Sequence, residues 1–224
     1  MLMDIEPFSL VDYPGHIVAT VFFGGCNFQC GYCQNPALVD VKEKPSQTSP
    51  SAVIEFMKTR KGLLDGVCLT GGEPLLSTDL VPLAREIWEL GFKVKLDTNG
   101  SSLEKLQEVA PCLDYIAMDI KCTPEKYPEL TGCRNSGDKI SETVEWIKNS
   151  GIPYEFRTTV LPVWHPFEDL TVIRKLLGQE TSWVLQQFRQ PPQGVLDGKT
   201  YEAYPDSWLK EMGEKLNCPV RGLK

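Results

Sequence analysis

The sequence alternates between short runs of β-branched and apolar residues and longer segments in which apolar residues recur every three or four positions. The short runs predict buried strands, and the longer segments predict amphipathic helices that pack on them. The predicted strands are residues 17–23, 66–70, 92–97, 115–119, 154–160 and 183–187, and the predicted helices lie around 52–60, 80–90, 103–109, 140–149 and 167–177. This alternation is typical of an α/β protein with a parallel sheet.

The six predicted strands define six βα-like units, the last without a predicted helix, whereas a closed (β/α)8 barrel needs eight. We therefore predict a partial (β/α)6 barrel with its core at about residues 16–190, inside a single domain of residues 1–224. Residues 191–224 form a tail whose pattern predicts no clear element. In barrels, the carboxyl ends of the strands carry the active site. Polar or small residues lie at these ends in the sequence, namely Cys26, Gly71, Asp97 and Asp119.

The composition limits the classes of partner. A chain of 224 residues with 42% hydrophobic content can bury a sizeable core. The formal net charge of −7 argues against nucleic acid or a membrane surface as the main partner. The longest apolar runs, such as Ile17–Phe23, are too short to span a bilayer, and the first ten residues lack the basic flank of a signal peptide. We expect a cytoplasmic protein.

Three cysteines follow the first predicted strand within eight residues, with the spacing C-x3-C-x2-C. They are Cys26, Cys30 and Cys33. Three thiolates at this spacing predict a metal site. A closed zinc site would need a fourth ligand from a distant part of the chain, whereas a four-iron cluster could leave one iron open for chemistry. From the spacing alone, a zinc knuckle or a chance cluster remains an alternative.

The other five cysteines are scattered along the chain and are expected to be reduced thiols. Cys68 lies inside an apolar strand, so we expect a core residue. The remaining four contain no C-x2-C pair and do not predict a second cluster. They are Cys112, Cys122, Cys133 and Cys218.

Two further motifs follow predicted strands. Gly71-Gly72-Glu73-Pro74 follows the second strand, and its two glycines would let a ligand approach the backbone, although a plain turn gives the same pattern. Asp97 and Asp119 end neighbouring strands and could share a proton, bind a cation or hold hydroxyl groups. Lys121 could neutralise a ligand carboxylate. Taken singly, Asp97 as a cap of the next helix and Lys121 as a solvated surface residue are simpler interpretations.

The cysteine loop resembles the signature of the radical S-adenosylmethionine (SAM) superfamily, C-x3-C-x-aromatic-C, with Tyr32 at the aromatic position. The motif at 71–74 resembles the element with which that superfamily binds the amino end of the methionine of SAM. The resemblance implies a partial (β/α)6 barrel that is open on one side and admits a large substrate. It also implies a 4Fe-4S cluster on the three cysteines of the loop.

Three elements resemble a narrower group, the activating enzymes of glycyl radical enzymes: Asp12-Tyr13-Pro14-Gly15, Asp97-Thr98-Asn99-Gly100 and Asp119-Ile120-Lys121. In that group, the second and third elements surround the SAM ribose and carboxylate and a bound monovalent cation. Arg157, placed at the end of the fifth predicted strand, matches an arginine that faces SAM. The resemblance implies SAM contacts at Asn35, Gly71, Gly72, Glu73, Asp97, Thr98, Asp119, Lys121 and Arg157.

Residues from about 8 to 190 most resemble the short activating proteins of anaerobic ribonucleoside-triphosphate reductase. The matching stretches are 8–15, 95–100, 117–121 and 154–160. Several related activases carry Pro-Phe-His after the last strand, and its histidine touches SAM, but this chain has no such triplet. Gln187 or Arg189 could take that place, while His165 is expected to be incidental. No ferredoxin-like insertion follows the first strand, so a single cluster is expected.

The resemblance implies reductive cleavage of SAM at the cluster and hydrogen abstraction from a glycine on a loop of a partner enzyme. The implied partner is anaerobic ribonucleoside-triphosphate reductase, with flavodoxin or ferredoxin as the electron donor. No acid–base dyad is needed, so no catalytic side chain beyond the cofactor contacts is predicted. One alternative is a radical SAM enzyme acting on a small molecule or another protein. Another is a non-enzymatic zinc or iron–sulfur module, which would leave the later motifs without a role.

Overall fold

The structure, a computed structural model, describes residues 3–41, 48–134 and 136–224. Its strands are β1 (Met3–Ser9), β2 (Val18–Phe23), β3 (Gly66–Gly71), β4 (Lys93–Thr98), β5 (Tyr115–Asp119), β6 (Tyr154–Val160), β7 (Trp183–Gln187) and β8 (Val220–Arg221). Its helices are α1 (Pro50–Lys58), α2 (Leu80–Glu89), α3 (Leu103–Val109), α4 (Tyr127–Thr131), α5 (Ser136–Asn149), α6 (Phe167–Leu177) and α7 (Asp206–Lys215). The alternation of the two kinds of element confirms the predicted α/β class.

The chain divides into two compact units, each assembled from separate stretches of sequence. The first unit comprises Met1–Asn27, Ala37–Thr98 and Ser102–Ile116. The second comprises Phe28–Pro36, Asn99–Ser101 and Ala117–Lys224. In the part of the chain that the structure describes, no helix is both long enough and apolar enough to cross a membrane.

The first unit is built on three parallel strands, β2, β3 and β4, which pair in chain order. Their side chains are almost completely buried because α1 and α2 turn apolar faces toward the sheet, as the helical periodicity predicts. Thr20, Cys68 and Lys95 are adjacent in the strand register and form a buried row of polar or polarisable side chains. Cys68 is therefore a core residue, as predicted.

An antiparallel strand that the sequence analysis did not predict, β1, pairs with β2 at the edge of the first unit. Asp4 and Glu6 on this strand are exposed. Charged residues are common on edge strands because they discourage pairing with other chains. They also weaken the apolar signal, which explains why the pattern of residues 3–9 did not indicate a strand.

The second unit contains the parallel strands β6, β7 and β8. The tail that predicted no element in fact forms α7 and β8. Arg174 on α6 is buried and donates hydrogen bonds to the carbonyls of Leu216 (2.9 Å) and Asn217 (3.0 Å). This buried guanidinium ties the tail to the unit. A strand of two residues is too short to produce a periodic pattern, so only the tertiary contacts define it.

Candidate functional site

The Gly-Gly motif packs against the backbone that leads into the cysteine loop. Gly72 N–H donates to Phe23 O (2.8 Å), and Glu73 N–H donates to Gly25 O (2.8 Å). A Cβ on Gly71 would lie 2.3 Å from Phe23 O, and one on Gly72 would lie 2.1 Å from Gly25 O. These distances leave no room for a side chain. Both glycines are therefore required by the close approach of the two backbones.

Glu73 joins this turn to the end of β4. Its side chain is fully buried, and Oε1 accepts hydrogen bonds from Leu75 N–H (3.0 Å) and from the Thr98 hydroxyl (2.7 Å). A buried carboxylate needs such donors because it has lost its hydration. Two of the predicted SAM contacts, Glu73 and Thr98, are thus brought into direct contact within the first unit.

Asp97 forms an ion pair with Lys95, two residues earlier on the same face of β4. The Lys95 side chain is only 1% exposed, and its Nζ also lies 3.7 Å from Cys68 Sγ. Lys95 is a site residue that the motifs did not indicate, although a lysine inside an apolar strand favours a buried partner of opposite charge. Asp97 does not cap the next helix, because α3 begins at Leu103 after Ser102.

In the second unit, Asp119 lies between two cations. Asp119 Oδ2 is 2.9 Å from Lys121 Nζ, and Oδ1 is 2.9 Å from Arg157 Nε. The three side chains are partly exposed, at 30%, 23% and 14% for Asp119, Lys121 and Arg157. Arg157 lies in the middle of β6, not at its end as predicted, and it reaches the end of β5 because Ile120 N–H pairs with its carbonyl (2.7 Å). The trio carries one excess positive charge and can bind an anion.

Asp119 and Lys121 are both ionised near neutral pH. Burial acts to raise the pKa of Asp119, but the neighbouring Arg157 and Lys121 outweigh it and hold that pKa well below its usual range. Burial acts to lower the pKa of Lys121, but the charge of the Asp119 carboxylate and the hydrogen bond to it raise that pKa above its usual value. Both groups are therefore ionised, and Lys121 stays a cation.

The backbone of Lys121 is bound by two buried side chains. Its N–H donates to Tyr127 Oη (2.8 Å), and its carbonyl oxygen lies 2.8 Å from His165 Nε2. His165 Nδ1 accepts a hydrogen bond from Leu161 N–H (3.0 Å). Burial lowers the pKa of His165 to about 4, so the ring is neutral at pH 7. The histidine that was expected to be incidental is therefore in contact with a predicted SAM residue.

The tail covers part of the cysteine loop within the second unit. Leu196 N–H donates to Cys33 O (3.2 Å), and Asp197 N–H donates to Gly31 O (3.1 Å). The side chain of Gln34 donates to Arg189 O (2.6 Å). No local sequence signal could have indicated these contacts, because they join groups far apart along the chain.

The two residues considered in place of the missing histidine differ in their surroundings. Arg189 is exposed, and its guanidinium donates to Gly222 O (2.7 Å). The Gln187 amide donates to Tyr204 O (2.6 Å), while its Oε1 is buried and has no hydrogen-bond partner among the described residues. Of the two, only Gln187 retains a buried polar atom that a ligand could satisfy.

The cysteine loop contains a buried hydroxyl group that a bound cofactor could satisfy. Tyr32 is 5% exposed, and its hydroxyl has no hydrogen-bond partner in the described residues, a costly arrangement unless another group binds there. Across 3–41, 48–134 and 136–224, no three His, Cys, Asp or Glu side chains are grouped to hold one metal ion. Cys30 is buried, whereas Cys26, Cys33 and Asn35 are at least partly exposed.

Comparison with known proteins identifies the family. A sequence model of the Radical SAM superfamily matches residues 20–176. A relative from Methanocaldococcus jannaschii, described as a glycyl-radical enzyme activating enzyme, is 31% identical over 96% of this chain and 90% of its own length. The pyruvate formate-lyase-activating enzyme of Listeria monocytogenes is 28% identical over 98% of this chain and 88% of its length. A 7-carboxy-7-deazaguanine synthase of Methanothermobacter thermautotrophicus is 33% identical over 52% of this chain and 48% of its length.

Solved structures share the fold. Streptococcus suis SuiB bound to SAM superposes with a TM-score of 0.69 at 15% identity, over 91% of this chain and 52% of the SuiB chain. QueE from Escherichia coli superposes with a TM-score of 0.56 at 16% identity, over 98% of this chain and 90% of that chain. These likenesses confirm the predicted partial-barrel fold class. Because the superfamily model spans more than half of the chain, this protein belongs to the radical SAM superfamily, whose enzymes use a 4Fe-4S cluster and SAM.

Proposed function

We propose that this radical SAM enzyme generates a glycyl radical on a partner enzyme. The main structural support is the cluster of Asp119, Lys121 and Arg157. Its two cations supply one more positive charge than Asp119 neutralises, so the cluster can bind the carboxylate of SAM. The activating-enzyme relative that matches 96% of the chain supports the choice of reaction. The reductive cleavage of SAM at a reduced cluster would supply the hydrogen-abstracting species when both groups are bound.

In this proposal, Cys26, Cys30 and Cys33 hold the cluster. The loop that carries Cys26 is fixed by the Gly-Gly turn, and Gly31 and Cys33 are bound through their carbonyls by the tail. The Tyr32 hydroxyl is buried and has no hydrogen-bond partner in the described residues, which favours a bound group beside it. Backbone hydrogen bonds thus hold the cysteine loop both before Cys26 and at Gly31 and Cys33.

Lys121 and Arg157 bind the carboxylate of SAM, and Asp119 orients both cations. The guanidinium of Arg157 and the ammonium of Lys121 both contact Asp119, and the three groups together carry a net positive charge. They can therefore bind a second carboxylate, that of the ligand. Asn35, Gly71, Gly72, Glu73, Asp97 and Thr98 complete the proposed SAM contacts. The proposal includes no monovalent cation at these carboxylates, because Lys95 neutralises Asp97, and Lys121 and Arg157 neutralise Asp119.

Replacing Lys121 or Arg157 by alanine should weaken SAM binding while the cluster still assembles. Loss of one charge-assisted hydrogen bond to a carboxylate costs roughly 1.5–3 kcal/mol, or about 10- to 100-fold in affinity. The measurement is an anaerobic SAM titration of cluster-loaded protein. Lys148→Ala is the matched control, because Lys148 forms a similar ion pair with Glu145 on α5. Unchanged affinity in both site variants would remove them from the SAM pocket.

The partner in this proposal presents a glycine on a loop, and anaerobic ribonucleoside-triphosphate reductase is the first candidate. Flavodoxin or ferredoxin would reduce the cluster. The stretches at 8–15, 95–100 and 117–121 support this choice through their resemblance to the short reductase activases. The proposal requires no acid or base from the chain, since the reactivity belongs to the bound groups. The chain binds and orients SAM and the target glycine and excludes water.

Anaerobic electron paramagnetic resonance tests the reaction. Reduced, cluster-loaded protein is mixed with SAM and a glycyl radical enzyme encoded in the same genome, beginning with the reductase. We expect a glycyl-type doublet on the partner, and no doublet when Cys26, Cys30 and Cys33 are all replaced by alanine. Cleavage of SAM without a radical on any candidate partner would contradict the activase assignment.

A radical SAM enzyme acting on a small molecule is the second candidate. The similarity to a 7-carboxy-7-deazaguanine synthase supports this candidate, because that relative is not described as an activating enzyme and yet matches 52% of this chain. SAM contacts report the cofactor and not the substrate, so the same site serves either reaction. Consumption of a small molecule together with SAM, in the absence of a partner radical, would favour this candidate.

A further inference from the structure

Lys121 lies two residues beyond the end of β5, and side chains bind both of its backbone polar groups. Tyr127 Oη accepts from its N–H at 2.8 Å, and His165 Nε2 lies 2.8 Å from its carbonyl oxygen. Both side chains are completely buried. Side chains that bind a backbone in the core hold it more firmly than water could, because no solvent competes for the same groups.

The hydrogen bonds fix the tautomer of His165. Leu161 N–H donates to Nδ1 at 3.0 Å, so Nδ1 is an acceptor and Nε2 carries the proton that is donated to Lys121 O. The Tyr204 hydroxyl donates to the backbone carbonyl of His165 (3.2 Å), which links the histidine to the tail. The ring thus uses both nitrogens and has one defined orientation.

The residue before Lys121 is fixed as well. Ile120 N–H donates to Arg157 O (2.7 Å), and Ile120 O accepts from the Thr158 hydroxyl (2.9 Å). All four backbone polar groups of Ile120 and Lys121 are therefore bound by β6 or by buried side chains. Only the Lys121 side chain is left to move, and its ammonium meets Asp119 at 2.9 Å.

We propose that His165 and Tyr127 are positioning residues for SAM binding, acting through the backbone of Lys121. The inference rests on the proposed function, in which Lys121 binds the SAM carboxylate. Fixing the backbone of one residue costs roughly 1–2 kcal/mol of conformational entropy, so a backbone that is already fixed reduces what must be ordered when the ligand binds. We call the pair His165 and Tyr127 the Lys121 clamp.

Two replacements of His165 separate the two hydrogen bonds of the ring. The amide nitrogen of His165→Gln can reach the place of Nε2 and keep the donor to Lys121 O. The shorter His165→Asn keeps an acceptor at the place of Nδ1 for Leu161 N–H but does not reach Lys121. Both variants lose one ring contact and the packing of the imidazole, so a purely structural role would affect both alike.

SAM affinity is measured anaerobically on cluster-loaded protein for each variant, with and without Lys121→Ala. His165→Asn should weaken SAM binding roughly tenfold, and His165→Gln should stay within about twofold of wild type. In the Lys121→Ala background, His165→Asn should cause no further loss. The role of the clamp would be contradicted if both His165 variants lost SAM affinity equally. It would also be contradicted if His165→Asn lost as much affinity in the Lys121→Ala background as in the wild type.

Tyr127→Phe tests the other half of the clamp and serves if the histidine variants do not fold. It removes the acceptor for Lys121 N–H and keeps the aromatic ring. SAM binding should therefore weaken as it does in His165→Asn, and Tyr127→Phe should cause no further loss in the Lys121→Ala background. Wild-type affinity in folded Tyr127→Phe would contradict its role. If Lys121→Ala alone leaves SAM affinity unchanged, the proposed SAM pocket fails; if it weakens binding and the clamp variants do not, only the clamp fails.

Discussion

Replacing Gly72 by alanine is expected to destabilise the protein by about 3 kcal/mol or more and to impair cluster loading. A Cβ at this position would lie 2.1 Å from Gly25 O and 2.9 Å from Leu38 O. Both are backbone atoms, so no flexible side chain can move aside. Gly25 also donates to Leu38 O and accepts from Glu73 N–H, at 2.8 Å each. Relieving the clash would break these bonds and shift the backbone directly before Cys26.

Urea unfolding of the apoprotein measures this loss of stability, and iron counting after anaerobic reconstitution measures cluster loading. Gly91→Ala is the matched control. Gly91 has φ +90°, and a Cβ there would meet no atom within 4 Å, so alanine costs only backbone strain, roughly 1–2 kcal/mol. A Gly72→Ala protein that unfolds like wild type and loads normally would show that the two backbones do not need this close approach.

Acidification from pH 6.5 to pH 4 is expected to remove roughly 3 kcal/mol of folding stability through His165 alone. Burial lowers the pKa of the folded state to about 4, from an ordinary value of 6.5. Between these values the unfolded chain binds a proton that the folded chain does not. The contribution is therefore fully present above pH 6.5 and is lost as the pH falls toward 4.

Urea unfolding of the apoprotein at several pH values between 4 and 7.5 checks this expectation against His165→Gln. The carboxylates titrate in both proteins, so the difference between the two stability curves isolates the histidine. Between pH 6.5 and pH 4, the free energy of unfolding should fall more steeply with pH in the wild type than in His165→Gln. The difference in slope should correspond to close to one proton taken up on unfolding. Parallel curves would mean that the ring takes up its proton in the folded state as readily as in the unfolded chain.

Much of the chain could be predicted from its sequence because the signals are local. All six predicted strands are present, and three of them, β5, β6 and β7, have the predicted bounds. Alternating apolar runs report burial directly, since each strand contacts layers on both of its faces. The cysteine spacing and the Gly-Gly motif are also local, and they indicated the superfamily that the comparison identifies.

The sequence alone did not reveal which polar residues the core would bury. Lysine and histidine are residue types that are seldom fully buried. Only the tertiary structure places Lys95 against Asp97 and His165 against Lys121. The reason that both glycines of the motif are needed is likewise a contact between separate stretches, 23–25 and 71–72.

The tail shows the same limit. Its two-residue strand exists only because it pairs with β7, and its contacts with Gly31 and Cys33 join groups more than 150 positions apart. Local patterns determine which segments become strands and helices, because that choice depends on neighbours a few residues away. Pairing of buried polar groups depends on which segments meet in space, so only the folded structure decides it.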